Sequence, residues 1–125
     1  MAKILVIDDE PNVIEYVCRL AESQGHSTVR AATCAEGIEA AADASVDIII
    51  ADIFLPDSPG NEKWLETVKD KAAGRPFVFI TGYPAQELIE KSEKLGAAGL
   101  LSKPFEMPFI KELLAKLSGQ KQNDR

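Results

Sequence analysis

This 125-residue sequence is short of several things. It has one histidine, His26, and two cysteines, Cys18 and Cys34. Both cysteines fall inside or at the start of expected helices, and they read as reduced thiols of a cytosolic chain. A lone histidine makes no site by itself. No apolar run approaches the ~20 residues that a membrane span needs, so no membrane insertion is expected. The N-terminus enters a strand at once, without a signal-peptide pattern, which points to the cytoplasm. Basic residues are in the minority, 14 against 20 acids, for a net charge of −6. They form no cluster interleaved with aromatics and spread over the helices as a solvated face. Direct nucleic-acid binding is therefore not expected. There is no internal repeat, no low-complexity block and no internal linker. One domain is expected over residues 1–118, followed by a polar tail, 119–125, expected to be disordered.

What the chain does have is an apolar stretch that ends in a carboxylate. Asp47-Ile48-Ile49-Ile50-Ala51-Asp52 reads as a strand buried on both faces of a parallel sheet. Beyond Phe54 comes a turn region with Pro56, Asp57, Pro59 and Gly60. An acid at the carboxyl end of a central strand lies where open α/β sheets place their ligands.

Around this stretch, short β-branched runs alternate with helical patterns. Strands are expected at Lys3–Ile7 (β1), Ser27–Ala31 (β2), the run ending at Asp52 (β3), Pro76–Ile80 (β4) and Gly99–Ser102 (β5). Helices are expected at Pro11–Gln24 (α1), Cys34–Asp43 (α2), Glu62–Ala73 (α3), Ala85–Leu95 (α4) and Met107–Leu117 (α5). Pro11 suits a first helical position. Ile14, Val17, Cys18 and Ala21 recur at three- and four-residue spacing on α1. Thr33 and Glu36 form a capping box for α2. β2 has the weakest pattern and is expected near an edge. Strands alternating with helices mean βαβ units with right-handed crossovers onto a parallel sheet.

The ends of those strands carry the chemistry. Asp8 and Asp9 follow β1, Asp52 ends β3, Thr81 follows β4 and Lys103 follows β5. In a parallel sheet these ends share one edge. Three carboxylates there repel one another and stay ionised together only beside a cation. Oxygen ligands without a nearby histidine or cysteine favour a hard ion, Mg²⁺ before Ca²⁺. Lys103 and the Thr81 hydroxyl add donors for an anion. Such a set describes a phosphoryl site in which a carboxylate is the nucleophile. Each residue alone has a plainer reading. Asp8 and Asp9 before Pro11 fit a helix cap, Asp52 a turn former, Thr81-Gly82 a strand exit. Their joint occurrence at four strand ends favours the site.

Through Asp8-Asp9, Asp52 with Pro56 and Gly60, Thr81-Gly82 and Lys103-Pro104-Phe105, the chain resembles the receiver domain of two-component response regulators. The resemblance spans roughly Lys3 to Leu117. It implies a flavodoxin-like, doubly wound (βα)5 fold: a five-stranded parallel sheet in the order 2-1-3-4-5 with helices on both faces. It implies that Asp52 accepts a phosphoryl group from a histidine kinase or a histidine phosphotransfer protein. Mg²⁺ is the implied cofactor, held by Asp9, Asp52 and the backbone carbonyl of Phe54, with Asp8 acting through a bound water. Lys103 would pair with a phosphoryl oxygen, the Thr81 hydroxyl would turn inward to bond it, and the Lys103–Pro104 peptide would be cis. The implied outcome is a switch in contacts with a downstream protein, without an external substrate, so the chain is not expected to be an enzyme.

Some positions depart from the family pattern. Many receivers carry an aromatic residue three positions before the lysine, where this chain has Leu100. Phe54 and Tyr83, two residues past Asp52 and Thr81, are bulky and are expected to crowd the path of an attacking water. Val13 and Tyr16, with Pro104 and Phe105, suggest an apolar collar for a helical partner. Two other readings are a Mg²⁺-dependent phosphatase with an aspartyl nucleophile and a degenerate receiver used for binding only. Against the phosphatase, Phe54 stands where a second acid would be needed.

Overall fold

The computed structural model describes residues 1–104 and 107–122. Its elements follow one another as β1 (Lys3–Ile7), α1 (Pro11–Ser23), β2 (Ser27–Ala31), α2 (Cys34–Ala41) and β3 (Ile48–Asp52), then α3 (Asn61–Ala72), β4 (Phe77–Thr81), α4 (Gln86–Lys94), β5 (Gly99–Ser102) and α5 (Met107–Gln122). The five strands form one parallel sheet in the order β2-β1-β3-β4-β5. The implied order therefore holds. Expected and observed ends differ by a residue or two, except that α5 runs to Gln122 rather than Leu117.

Strand side chains alternate between the two faces, and each face buries its own core. Odd-numbered residues Leu5, Ile7, Ile49, Phe77 and Phe79 pack with Trp64, Leu65 and Val68 of α3. Even-numbered residues Ile4, Val6, Ile48, Ile50, Val78 and Ile80 pack under α1 and α5, through Val17, Cys18, Ile110 and Leu114. β3 lies at the centre and is buried along its whole length, whereas β2 at the edge is buried only at Ala31. Cys18 and Cys34 are free, buried thiols. Among the described residues no helix is long and apolar enough to cross a membrane.

Local chemistry sets the helix ends. Thr33 accepts the Glu36 N–H through its hydroxyl at 3.0 Å. Glu36 reaches back to the Ala32 N–H, one residue earlier than in a standard capping box. Gly60 precedes α3 with φ of 121°, a conformation that a side chain disfavours. Gly37 lets α2 lie close on β1, because a Cβ there would come within 2.6 Å of Ile7 Cδ1. At the far end of the sheet, Arg75 collects backbone carbonyls from three segments. Its Nε donates to Ala72, Nη1 to Asp43 and Val46, and Nη2 to Ala41 and Lys71.

Candidate functional site

Four strand ends converge as the sequence predicts. Asp52 is the last residue of β3 and pairs with Ile80, while Thr81 pairs with Ser102 just before Lys103. The Lys103 N–H donates to the Thr81 carbonyl at 2.8 Å, which ties the β5 exit to β4. Asp8 and Asp52 continue the even-numbered positions of β1 and β3, so both carboxylates leave the sheet on the α1–α5 side. Both are buried, at 0% and 3% exposure.

Lys103 joins these acids. Its ammonium lies 2.9 Å from Asp8 Oδ2 and 3.3 Å from Asp52 Oδ2, and it also bonds the Glu10 carboxylate. Asp8 divides its two oxygens between two tasks. Oδ1 accepts the Glu10 N–H at 2.9 Å and shapes the turn into α1. Oδ2 is buried, accepts no well-directed hydrogen bond and meets Lys103 as an ion pair. The helix-cap reading of Asp8 and Asp9 does not hold, because Glu10 is the N-cap of α1 and no side chain caps it; Asp8 instead closes the turn before the helix with one oxygen and meets Lys103 with the other.

The charges perturb one another. Burial, and then the Asp8 carboxylate, push the Asp52 carboxyl up to about 6 against the pull of Lys103 and the Phe54 backbone N–H. Burial opposes the charge on Lys103, but the Glu10 and Asp8 carboxylates outweigh it and raise its pKa above the ordinary lysine value.

Asp8, Glu10 and Asp52 each present an oxygen within 4.8 Å of the others. An all-oxygen donor set with two buried carboxylates and one poorly satisfied oxygen fits a hard divalent cation. Asp9, expected to ligate directly, is exposed and stands outside this cluster; Glu10 stands inside it. Asp8, Asp9 and Glu10 are consecutive in the sequence, and the turn closed by Asp8 sets which of them join the cluster.

Thr81 is fully buried, and its hydroxyl accepts the Tyr83 N–H at 2.9 Å. The Lys103–Pro104 peptide is cis. Phe54 and Tyr83 are 41% and 76% exposed at the rim. Leu100 is half-buried against the α2–α3 core. Val13, Tyr16, Gly82 and Pro104 line a groove beside Lys103. Phe105, assigned to the same collar, lies outside the described residues.

Two further residues reach the site from behind. Asp57 accepts the Cys34 and Ala35 N–H groups at 2.8 and 3.1 Å, fastening the loop after Asp52 to the start of α2. Trp64 donates its indole N–H to the Asp52 backbone carbonyl at 2.9 Å. The sequence carries little sign of either: Asp57 is one residue of a turn region and Trp64 one of the apolar residues of α3.

Residues 4–115 match the family described as the response regulator receiver domain. The chain belongs to that family. This receiver is 26% identical to protein PilH of Pseudomonas aeruginosa, over 95% of its own length and 100% of PilH. It is 25% identical to sporulation initiation phosphotransferase F of Bacillus subtilis, over 97% of each chain. Among solved structures, it matches a CheY-like receiver domain protein of Methanospirillum hungatei with a TM-score of 0.85, at 25% identity and 98% coverage of both chains. A receiver domain protein of Clostridium thermocellum gives 0.86, at 25% identity over 100% of both. These likenesses establish a flavodoxin-like receiver of the two-component type. Receivers are generally regulatory phosphoacceptors that draw on histidine kinases or phosphotransfer proteins, and they typically bind Mg²⁺ at an acidic pocket.

Proposed function

We propose that Asp52 is the phosphoacceptor of this receiver and that Lys103, Thr81 and the acids around it form its site. The observation that carries the reading is the Lys103 ammonium, within 3.3 Å of both Asp8 and Asp52. Asp52 is the acid at the end of the central strand, and an oxygen of its carboxylate attacks phosphorus. The bond from phosphorus to the donor imidazole nitrogen breaks, and its electron pair stays on that nitrogen. Lys103 then pairs with a phosphoryl oxygen. The Thr81 hydroxyl leaves the Tyr83 N–H and turns to the phosphoryl group.

In this reading Asp9, Asp52 and the Phe54 carbonyl would hold Mg²⁺, with Asp8 supporting it through a water. The ion would supply positive charge to the acids and to the transferring oxygens. The added phosphoryl charge shifts contacts with a protein partner, and the groove lined by Val13, Tyr16 and Pro104 receives the histidine-bearing donor. The domain turns over no external substrate and is not an enzyme. Residues 1–118 act as one domain without direct nucleic-acid contact, and the two free thiols suit a cytoplasmic setting.

Incubation with acetyl phosphate and Mg²⁺, followed by intact-mass measurement, tests the assignment. One phosphate adduct on the wild type and none on Asp52→Ala is expected. An adduct that survives in Asp52→Ala overturns the choice of acid. Steady phosphate release from many substrates overturns the switch in favour of a phosphatase.

A further inference from the structure

Trp64 is the chain's single tryptophan. It stands in the first turn of α3 with 1% of its surface exposed. The acceptor of its indole N–H, the Asp52 carbonyl, occupies an unusual place in the sheet. The β1–β3 register stops at Ile7 opposite Ala51, one residue short of Asp52. Asp8 gives its N–H to Ala31 of β2 as the alternation requires, and the strand has ended before Asp9 could donate toward β3. On the other side, the Ile53 N–H takes the Ile80 carbonyl of β4. Adjacent residues of a strand present their backbone groups to opposite neighbours, so the Asp52 carbonyl faces the β1 side beyond that strand's last paired residue. A buried carbonyl without a donor is costly, and here the donor is a side chain on the next helix.

Resting on the reading of Asp52 as phosphoacceptor, we propose that Trp64 is a positioning residue that pins the Asp52 backbone and so preorganises the ion and phosphoryl site. The indole bond fixes the peptide plane between Asp52 and Ile53. That plane aims the carboxylate on one side and leads directly into Phe54 on the other. The Phe54 N–H stands on the Asp52 carboxylate, and its carbonyl is the proposed backbone ligand. A hydrogen bond one step behind the ligands orients them, and losing such a bond typically weakens metal binding 10- to 100-fold. The rest of the indole packs in the core formed by Ile7, Ile49 and Val68, so the ring itself is held still.

Two replacements separate the N–H from the ring. Trp64→Phe deletes the donor and part of the volume. Substitution of Trp64 by β-(3-benzothienyl)alanine deletes the donor and keeps the bicyclic shape. Val68→Ala serves as a control that loosens the same core without touching the Asp52 carbonyl. Mg²⁺ affinity of the unphosphorylated chain is measured by calorimetry well below the melting temperature. The carbonyl ¹³C shift of Asp52 is measured in the metal-free protein. Both Trp64 replacements are expected to weaken Mg²⁺ binding about tenfold and to move that ¹³C shift, while Val68→Ala lowers the melting temperature and leaves both unchanged. Wild-type affinity and an unmoved shift in the benzothienyl protein overturn the positioning role alone. A wild type that binds no Mg²⁺ and takes no phosphoryl group overturns the phosphoacceptor reading, and this role falls with it.

Discussion

Arg75 gives the most direct test of how this fold is held together. All five N–H donors of a guanidinium are available to it, and the structure uses them on five backbone carbonyls. Ala41 and Asp43 belong to the end of α2 and the residues after it, Val46 to the entry into β3, and Lys71 and Ala72 to the last turn of α3. Carbonyls at a helix C-terminus lack intrahelical partners and carry the negative end of the dipole, so a cation there serves two purposes. Three of the bonds, to Ala41, Val46 and Ala72, are part-buried and two are exposed. At ~1 kcal/mol for each part-buried bond and little for the exposed ones, Arg75→Ala should cost about 3 kcal/mol. Arg75→Lys keeps the charge but loses the fork and should cost about 2 kcal/mol. With an unfolding entropy of ~2.1 cal/mol/K per residue, the alanine variant should melt roughly 11 °C lower. Urea denaturation and calorimetry read both values. Phosphorylation by acetyl phosphate should be unchanged below the melting transition, because Arg75 precedes β4 and the site lies a strand length away, roughly 15 Å. An Arg75→Lys protein within about 0.5 kcal/mol of wild type would refute the fork argument.

Three further outcomes are expected. Phe54→Asn should shorten the phosphoryl lifetime severalfold by opening the in-line path beside Asp52, and an unchanged lifetime refutes crowding by this ring. Asp57→Ala should speed hydrogen exchange at the Cys34 and Ala35 amides. Those amides hold the Asp57 carboxyl below its ordinary 3.8, so the difference from wild type should be present at neutral pH and fade as pH falls through the lowered folded value. His26 accepts the Ala2 N–H through Nδ1 at 3.0 Å. Burial, and then the N-terminal amine, hold its pKa below 6.5. The unfolded chain therefore binds the proton more readily. The His26 contribution to stability is complete above about pH 6.5 and declines as pH falls through the folded value. Thermal melts of wild type and His26→Gln should converge as pH falls below 6.5; a constant gap would contradict this.

Much of the architecture was legible because local and global signals agree. The unbroken Ile48-Ile49-Ile50 run can only be a strand covered on both faces, and it is buried throughout. Thr33 and Glu36 announced α2, and Asp52, Thr81 and Lys103 each stood at the end of an apolar run. Strand order was not written in any of these patterns, since periodicity specifies a face and never a neighbour; it came from the family resemblance. Glu10 escaped because three acids in a row look alike until the Asp8 side chain closes its turn. Arg75 escaped because its acceptors are backbone atoms, which no residue type advertises. Trp64 escaped because its one polar atom has no sequence signature.

At this site a single ammonium meets three carboxylates. On the proposed reading, Lys103 cannot attend to a newly arrived phosphoryl oxygen and keep all its present companions. Engagement is therefore a trade of partners rather than a simple addition. Glu10, the outermost and most hydrated of the three, is then the companion most cheaply surrendered, so the exchange would be felt at the doorway to α1.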